Sequence, residues 1–332
     1  MLPCPWIEMP DGSMMPGPHS TTSLGSRNGQ TRSSNYVLKA GNDLGLIDTG
    51  MQPWGLPELI GQIDKLGGRL NWIILTHFHF DHIGNAAALA QRYRCPVMAH
   101  PLDLPAIEDP LIMADGKWVF PDSPTTLEEV ARELGGEKKE EMTREVLKKY
   151  FHFPVKIDRA IAERDEIPLG PWKLKILETP GHSPGSLSIY NPASRSLYIG
   201  DLDYIMNPSN PWPISNAKDL ISSVARVSAM EVEYLGIGHY NGIAPKWAVA
   251  EYLDDMRYRI QATEQRIANC LKRLGRASVT QLAEEVFPII PRYGYSPLHK
   301  SAVQCFLHKL VDEGKARKVN EGGMIVWEST SS

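Results

Sequence analysis

Residues 76–82 read Thr-His-Phe-His-Phe-Asp-His, a dense cluster of histidine and aspartate. It directly follows a compact apolar segment that is typical of a buried strand. In extended chain, alternate side chains share one side, so His77, His79 and Asp81 face the same way, whereas positions i and i+2 of a helix diverge. The pattern therefore predicts metal ligands on a loop at the end of a strand. His82 joins them only if the chain turns after Asp81.

Single polar residues follow three other short apolar segments. They are His182 in Thr-Pro-Gly-His, Asp201 in Ile-Gly-Asp and His239 in Ile-Gly-His. A glycine before each residue allows close approach of the backbone at the strand end. Neutral imidazoles and carboxylates suit Zn²⁺, Fe or Mn²⁺. Four such side chains within residues 77–82 are one more than a single catalytic ion with an open position accepts, so the sequence predicts two divalent metal ions.

The ordered set of motifs resembles the metallo-β-lactamase-fold hydrolase superfamily over roughly residues 35–245. This resemblance implies an α/β fold, a four-layer αββα sandwich that carries the motifs along one edge. It also implies that Asp48, in Asp-Thr-Gly, supports the ligands without binding an ion itself. The implied ligands are His77, His79 and His182 for the first ion, Asp81, His82 and His239 for the second, and Asp201 as the bridge.

The resemblance implies hydrolysis at a binuclear metal centre. Two ions about 3.5 to 4 Å apart can hold a water between them and lower its pKa toward about 7, so that hydroxide attacks without a protein nucleophile. One ion polarises the carbonyl or phosphoryl oxygen of the substrate. Asp81 is expected to act catalytically by moving a proton to the leaving group. Zn²⁺ is the expected metal, and Fe and Mn²⁺ stay open.

Pattern changes along the chain predict three regions. Residues 1–34 are rich in Pro, Gly, Ser, Thr and Asn, and we expect little regular structure there. Residues 35–250 are the predicted catalytic domain, and residues 101–165 are predicted to form an inserted helical cap. Residues 251–332 contain three helical segments and a hairpin, an outline similar to the winged-helix appendage on one branch of the superfamily.

Charge is distributed unevenly between these regions. Residues 1–254 contain 23 Lys and Arg against 31 Asp and Glu, whereas residues 255–332 contain 12 against 8. An acidic body disfavours polyphosphate substrates. The helical segment 297–313 carries two lysines with two acids, so we expect the C-terminal domain to brace the catalytic domain rather than bind nucleic acid. A phosphodiesterase or endoribonuclease acting on single-stranded RNA is kept as the alternative, because that branch includes endoribonucleases.

Aromatic residues near the motifs suggest the substrate class. Tyr204 stands three residues after Asp201, a spacing similar to that of acyl-homoserine-lactone lactonases, in which the phenol helps to bind the substrate carbonyl. Trp54, Met206 and Trp212 could line an apolar pocket beneath the cap. We therefore expect a small-molecule acyl substrate, an ester, thioester or lactone with an apolar portion. Ordinary packing is the alternative for each of these side chains.

The composition is that of a folded protein. Of 332 residues, 42% are hydrophobic and 22% are charged, which excludes a disordered or fibrous chain. No run approaches the roughly 18 apolar residues of a membrane span, and Met1 to Pro10 lacks a signal-peptide pattern, so we expect a cytoplasmic protein with no membrane partner. A homodimer stays open. The histidines outside the motifs are His100, His152, His299 and His308.

Two other classes are compatible with parts of the motif set. A persulfide dioxygenase or a diiron oxygen reductase uses related ligands, although the latter typically has an acid in place of His79. A non-enzymatic protein could keep the metals as structure. The full ligand set makes the non-enzymatic protein the least favoured of these, and the histidine at position 79 speaks against the diiron reductase.

Overall fold

The computed structural model describes residues 6–8, 14–16, 33–50, 55–109, 154–202, 216–239, 243–287, 297–322 and 324–330. Near the N-terminus, β1 (Trp6–Glu8) pairs with β2 (Met14–Pro16) in an antiparallel ribbon. This ribbon lies in residues 1–34, where the sequence predicted little regular structure. Three-residue strands among prolines are too short to show an alternating pattern.

The first large sheet combines one antiparallel hairpin with parallel strands. Its strands, in spatial order, are β3 (Tyr36–Ala40), β4 (Asp43–Ile47), β5 (Arg69–Ile74), β6 (Val97–Ala99) and β7 (Arg159–Ala160). The β3–β4 pair is antiparallel, and each later pair is parallel. Parallel strands need crossovers, so helices lie between them. These helices are α1 (Leu56–Leu66), α2 (Phe80–Ile83), α3 (Ala86–Tyr93), a 3₁₀ turn (Pro101–Asp103) and α4 (Leu104–Glu108).

The second large sheet is mainly antiparallel. Its strands are β8 (Glu166–Leu169), β9 (Trp172–Glu178), β10 (Leu187–Asn191), β11 (Ser196–Tyr198), β12 (Tyr234–Gly236) and β13 (Ile243–Pro245), in that spatial order. Only β11 and β12 run parallel among these pairs, and α5 (Ala217–Ser228) connects them. Asn216 starts α5 because its side chain accepts the backbone N–H groups of Lys218 and Asp219.

Neighbouring strand residues belong to different layers of the core. Val37 and Ile73 pack in the cluster beneath α1, α3 and α4, whereas Leu38 and Ile74 pack between the two sheets. This alternation follows from the two-residue period of a strand, and each buried aliphatic side chain contributes about 1.5 to 3 kcal/mol. Helices on both outer faces complete the four layers. The predicted αββα sandwich is confirmed.

Residues 101–165 differ from the predicted helical cap at both described ends. Residues 101–108 form the 3₁₀ turn and α4, which pack on the outer face of the first sheet. Residues 159–160 form the edge strand β7 of that sheet. The remaining helical prediction, residues 110–153, lies outside the described residues.

The C-terminal part consists of helices and a small sheet. Its elements are α6 (Lys246–Leu274), β14 (Arg276–Ala277), α7 (Val279–Val286), α8 (Pro297–Asp312), β15 (Ala316–Glu321) and β16 (Met324–Ser329). Helix α6 crosses the predicted domain boundary at residue 250. Its buried side chains share one core with the outer face of the second sheet and with Trp327. The winged-helix interpretation stays a prediction. Among the described helices, none is both long and apolar enough to cross a bilayer.

Candidate metal centre

The seven predicted ligands meet at one edge of the sandwich because they follow strands that end there. His77, His79, Asp81 and His82 follow β5. The other three each follow a strand of the second sheet: His182 follows β9, Asp201 follows β11 and His239 follows β12. The backbone N–H of Leu187 donates to the Thr76 carbonyl at 2.9 Å, which ties the two sheets together at this edge. All seven side chains are buried.

A short helix turns His82 toward its partners. His79 is still extended, with ψ of 142°, and α2 begins at the next residue. The backbone N–H of His82 donates to the His79 carbonyl at 2.9 Å, which closes the turn. The sequence predicted that His82 would join the other ligands only if the chain turned after Asp81. Helix α2 supplies this turn, and it starts at Phe80, one residue before Asp81.

Three imidazoles and one carboxylate form the first group of ligand atoms. His79 Nδ1 lies 3.0 Å from His77 Nε2 and 2.8 Å from His182 Nε2. Asp201 Oδ2 lies 3.7 Å from His77 Nε2 and 3.5 Å from His182 Nε2. One ligand atom from each residue lies within 4.8 Å of the others, a spacing that fits a cation among them.

Asp81, His82 and His239 form the second group. Their nearest contact is 3.3 Å between His82 Nε2 and His239 Nε2, and Asp81 Oδ2 is 3.5 Å from His239 Nε2. Asp201 also borders this group, because its Oδ2 is 3.0 Å from His239 Nε2 and its Oδ1 is 3.2 Å from His82 Nε2. Asp201 thus lies between the two groups, where a bridging ligand would be.

The protonation of the first group suits metal binding. Burial lowers the pKa of His79 and of His182 to about 3, and burial together with His82 holds the pKa of His77 well below its usual range. These imidazoles are therefore neutral at pH 7 and offer lone pairs. His77 Nε2 lies 3.0 Å and His182 Nε2 lies 2.8 Å from His79 Nδ1, and one proton shared among these three nitrogens cannot give each of them a hydrogen bond. The three nitrogens therefore fit a cation better than a hydrogen-bonded cluster.

Carboxylates dominate the second group. Burial alone would lower the pKa of His82, but Asp201, Asp48 and Asp81 raise it well above its usual value. The pKa of His239 is also raised, since Asp201 outweighs burial. Burial would raise the pKa of Asp201, yet His239, His82 and His77 hold it well below its usual range. A cation entering this group would replace protons on imidazoles that already face carboxylates.

Asp48 contacts the nitrogen of His82 that faces away from the second group. Its Oδ2 is 2.8 Å from His82 Nδ1, so Nε2 is the nitrogen that faces the second group. The same carboxylate accepts the backbone N–H and the hydroxyl of Thr76, each at 2.8 Å. Asp48 has a φ of 57°, a left-handed conformation that turns the chain at the end of β4. Such a partner fixes both the tautomer and the orientation of a ligating imidazole.

Gly238 leaves room for Asp201. A Cβ at residue 238 would lie 1.9 Å from Asp201 Oδ1 and 2.7 Å from the carbonyl carbon of Gly200. We expect Gly238→Ala to displace the carboxylate between the two groups, to cost about 1 to 3 kcal/mol of unfolding free energy and to lower the bound metal. Denaturant unfolding of the metal-free protein and metal analysis measure these effects.

Gly61→Ala is the matched control for this change. Gly61 lies on the exposed side of α1, and no atom is within 4 Å of the position that a Cβ would take there. Alanine should therefore raise stability by up to about 1 kcal/mol and leave metal content unchanged. Equal stability and equal metal content in the two variants would contradict the assigned role of Gly238.

Several predicted site residues lie outside the described residues. They are Tyr204 and the suggested pocket residues Trp54, Met206 and Trp212. Conversely, sequence patterns missed residues that support the ligand loops, chiefly Thr76, Ser183, Gly185, His100 and Asp103. His100 and Asp103 carry the available signal, because both follow the parallel strand β6, which ends at the same edge.

The αββα sandwich carries two groups of candidate metal ligands at one edge, and this architecture defines the class of protein. A family model described as the metallo-beta-lactamase superfamily matches residues 28–239, more than half of the chain, and ends on the last of the seven predicted ligands. The chain belongs to the metallo-beta-lactamase superfamily. Two sites of histidine and aspartate side chains fit a binuclear metal centre.

Over the aligned residues, the curated relatives are a little more than a quarter identical to the chain. "Probable metallo-hydrolase YybB" of Bacillus subtilis is 28% identical over 167 residues, which cover 50% of this chain and 60% of that protein. "Acyl-coenzyme A thioesterase MBLAC2" of Gallus gallus is 27% identical over 219 residues, covering 59% and 68%. The chain thus spans 60% of the length of the Bacillus subtilis relative.

A solved structure matches nearly the whole chain. The metallo-beta-lactamase family protein TTHA1429 from Thermus thermophilus superposes with a TM-score of 0.70, covering 96% of this chain and 99% of that one. Sequence identity is 18%, so the likeness concerns the fold alone. It extends past residue 239 into the C-terminal helices and sheet.

Proposed function

We propose that the protein is a binuclear metal-dependent hydrolase of carboxylic esters, thioesters or lactones with an apolar portion. The convergence of seven buried side chains into two adjoining ligand groups supports the hydrolase part of this proposal. Zn²⁺ is the proposed metal, with Fe and Mn²⁺ as the other ions that imidazole and carboxylate ligands accept.

The proposed roles of the side chains follow from their positions. When bound, divalent ions act as Lewis acids and lower the pKa of water toward neutrality. One ion would be held by His77, His79 and His182. The other would be held by Asp81, His82 and His239, and Asp201 would bind both ions. Asp81 Oδ2, 3.5 Å from His239 Nε2, would take a proton from the attacking water and give it to the leaving oxygen or sulfur. Asp48 keeps His82 oriented while this happens.

Charge and a relative's name favour acyl substrates over nucleic acids. Residues 1–254 carry eight more acids than bases, so they offer little attraction to an RNA backbone. The Gallus gallus relative is named an acyl-coenzyme A thioesterase. Because coenzyme A itself carries phosphates, the acyl part is the portion that we propose the site selects.

Tyr204 is proposed to contact the substrate carbonyl. It stands three residues after the bridging Asp201, the spacing that resembles the lactonases. A hydrogen bond from the phenol to the carbonyl oxygen should strengthen as negative charge develops on that oxygen in the transition state. Tyr204→Phe removes this bond and is therefore expected to lower kcat/KM about tenfold or more. Unchanged kinetics would assign Tyr204 to packing.

A substrate panel tests the proposed function. The purified protein with two equivalents of Zn²⁺ should hydrolyse at least one of an acyl-coenzyme A, its short pantetheine thioester, an N-acyl lactone or an aryl ester. Comparing the coenzyme A thioester with the pantetheine thioester separates recognition of the acyl group from recognition of the nucleotide. Cleavage of single-stranded RNA without turnover of any acyl compound would overturn the proposal in favour of a phosphodiesterase.

A further inference from the structure

A buried carboxylate outside the ligand set connects two of the ligand loops. Asp103 is fully buried at the end of the 3₁₀ turn that follows β6. Its Oδ2 accepts the Ser183 hydroxyl at 2.7 Å, and its Oδ1 accepts the Gly185 backbone N–H at 2.8 Å. The backbone of Phe78, the residue between His77 and His79, lies near enough to help lower the pKa of this carboxyl against the effect of burial.

These three contacts join separate parts of the chain at the first ligand group. Phe78 belongs to the loop after β5, whereas Ser183 and Gly185 belong to the loop after β9, one and three residues after His182. The first ligand group needs both loops at a fixed separation. Asp103 accepts two hydrogen bonds from the loop after β9 and lies beside the Phe78 backbone of the loop after β5.

His100 holds the other end of the His182 loop. Its Nδ1 accepts the Leu102 backbone N–H at 3.2 Å, so its Nε2 carries the proton and donates to Glu178 Oε1 at 3.0 Å. Glu178 ends β9, four residues before His182. Residues 100 and 103 therefore contact the chain on both sides of His182.

Close packing at Gly185 shows that this contact is specific. A Cβ on residue 185 would lie 2.6 Å from Asp103 Oδ1 and 2.9 Å from His100 Nδ1. The Ser183 hydroxyl is also 2.8 Å from Ser186 Oγ, which in turn accepts the Ser183 backbone N–H at 2.9 Å. Each polar group that faces Asp103 thus has a defined partner, and a network satisfied in this way fixes one geometry.

Stability alone is a poor reason for a carboxylate at this position. A buried carboxylate loses its hydration, and burial raises the pKa of Asp103 to about 6 despite the hydrogen bonds from Ser183 and Gly185. An apolar side chain of similar size would avoid this cost. A carboxylate supplies several acceptor positions, and contact with two loops at once needs them.

We propose that Asp103 is a positioning residue that sets the separation of His182 from His77 and His79 and so preforms the first ligand group. This inference rests on the proposed metal centre. It assigns no chemical step to Asp103, and it predicts that the loss of its carboxylate weakens one metal site much more than the other.

Cobalt titration of the metal-free protein tests this inference. Co²⁺ reports each site through its visible absorption, so affinity and coordination are measured without substrate. We expect Asp103→Ala to weaken one of the two Co²⁺ sites about 10- to 100-fold and to change its spectrum, while the other site changes less than about threefold. Asp103→Asn keeps one acceptor oxygen and should restore part of the affinity.

Asp158→Ala is the matched control. Asp158 Oδ2 accepts the Val97 backbone N–H at 3.0 Å, at the opposite end of the same strand β6. This variant should unfold more easily yet bind both Co²⁺ ions like the wild type. Equal weakening of both sites in Asp103→Ala, or no change in either, would overturn the inference.

Two further outcomes are separable. If Asp103→Ala does not fold, Ser183→Ala removes one of the three contacts and decides the matter: weakening confined to one Co²⁺ site supports the inference, and unchanged affinities overturn it. If the wild-type protein binds no Co²⁺, Zn²⁺, Fe²⁺ or Mn²⁺, the proposed metal centre fails first, and the inference fails with it.

Discussion

Asp201→Ala is expected to lower kcat/KM by more than about 100-fold on any substrate that the wild-type protein hydrolyses. The reason is the position of Asp201 between the two ligand groups. Its Oδ2 is 3.0 Å from His239 Nε2 and 3.5 Å from His182 Nε2, so one carboxylate borders both proposed ions. Its removal takes a ligand and a negative charge from each of them.

Metal content should change together with activity. The wild-type protein is expected to hold two ions per chain after dialysis, and Asp201→Ala fewer, as measured by elemental analysis. Asp64→Ala serves as the control, because Asp64 pairs with Arg92 at 2.7 Å on the surface of α1 and α3, away from the ligands. Full activity and two ions in Asp201→Ala would reject the bridging role.

The convergence of the candidate ligands could be expected because the sequence places them densely and in order. Four of the seven lie within residues 77–82, a spacing that has few structural explanations other than a metal loop. His182, Asp201 and His239 are single residues, and only the apolar segments before them indicated a shared sheet edge. The resemblance to a superfamily then supplied the grouping that the isolated positions lack.

Supporting residues were not predictable in the same way. Asp103 acts on Ser183 and Gly185, which are 80 and 82 positions away in the chain. Nothing in the local sequence of Asp103 indicates which loops will lie beside it, because strand order decides this. Such contacts become visible only when β6 and β9 are placed in their sheets.

The fold shows the same division between local and long-range information. The short apolar segments that precede the candidate ligands correspond to β5, β9, β11 and β12. Helix α5 has a clear start at Asn216 but contains Ser222 and Ser223, which favour helix interiors weakly, and the pattern-based predictions omit it. Helix α6 looked like the start of a separate domain, yet its buried side chains pack in the same core as Leu197 and Leu235 of the second sheet.

Removing the metals is expected to abolish hydrolysis and to destabilise the protein measurably. An ion present at about 1,000 times its dissociation constant adds about 4 kcal/mol to the free energy of unfolding, so two such ions should produce a large rise in Tm. The structure supports an effect of this kind, because the first group brings three neutral imidazoles together with contacts of 2.8 and 3.0 Å. Calorimetry before and after chelation, and after readdition of Zn²⁺, Fe²⁺ or Mn²⁺, measures it.

Asp201→Ala makes the chelation experiment specific to this site. If the stabilisation comes from ions at the seven ligands, chelation should lower the Tm of Asp201→Ala much less than that of the wild type, since the variant has less bound metal to lose. The Asp64→Ala control should respond like the wild type. Equal decreases in all three proteins would mean that the chelator removes an ion bound elsewhere, and the two ligand groups would then not be the metal centre.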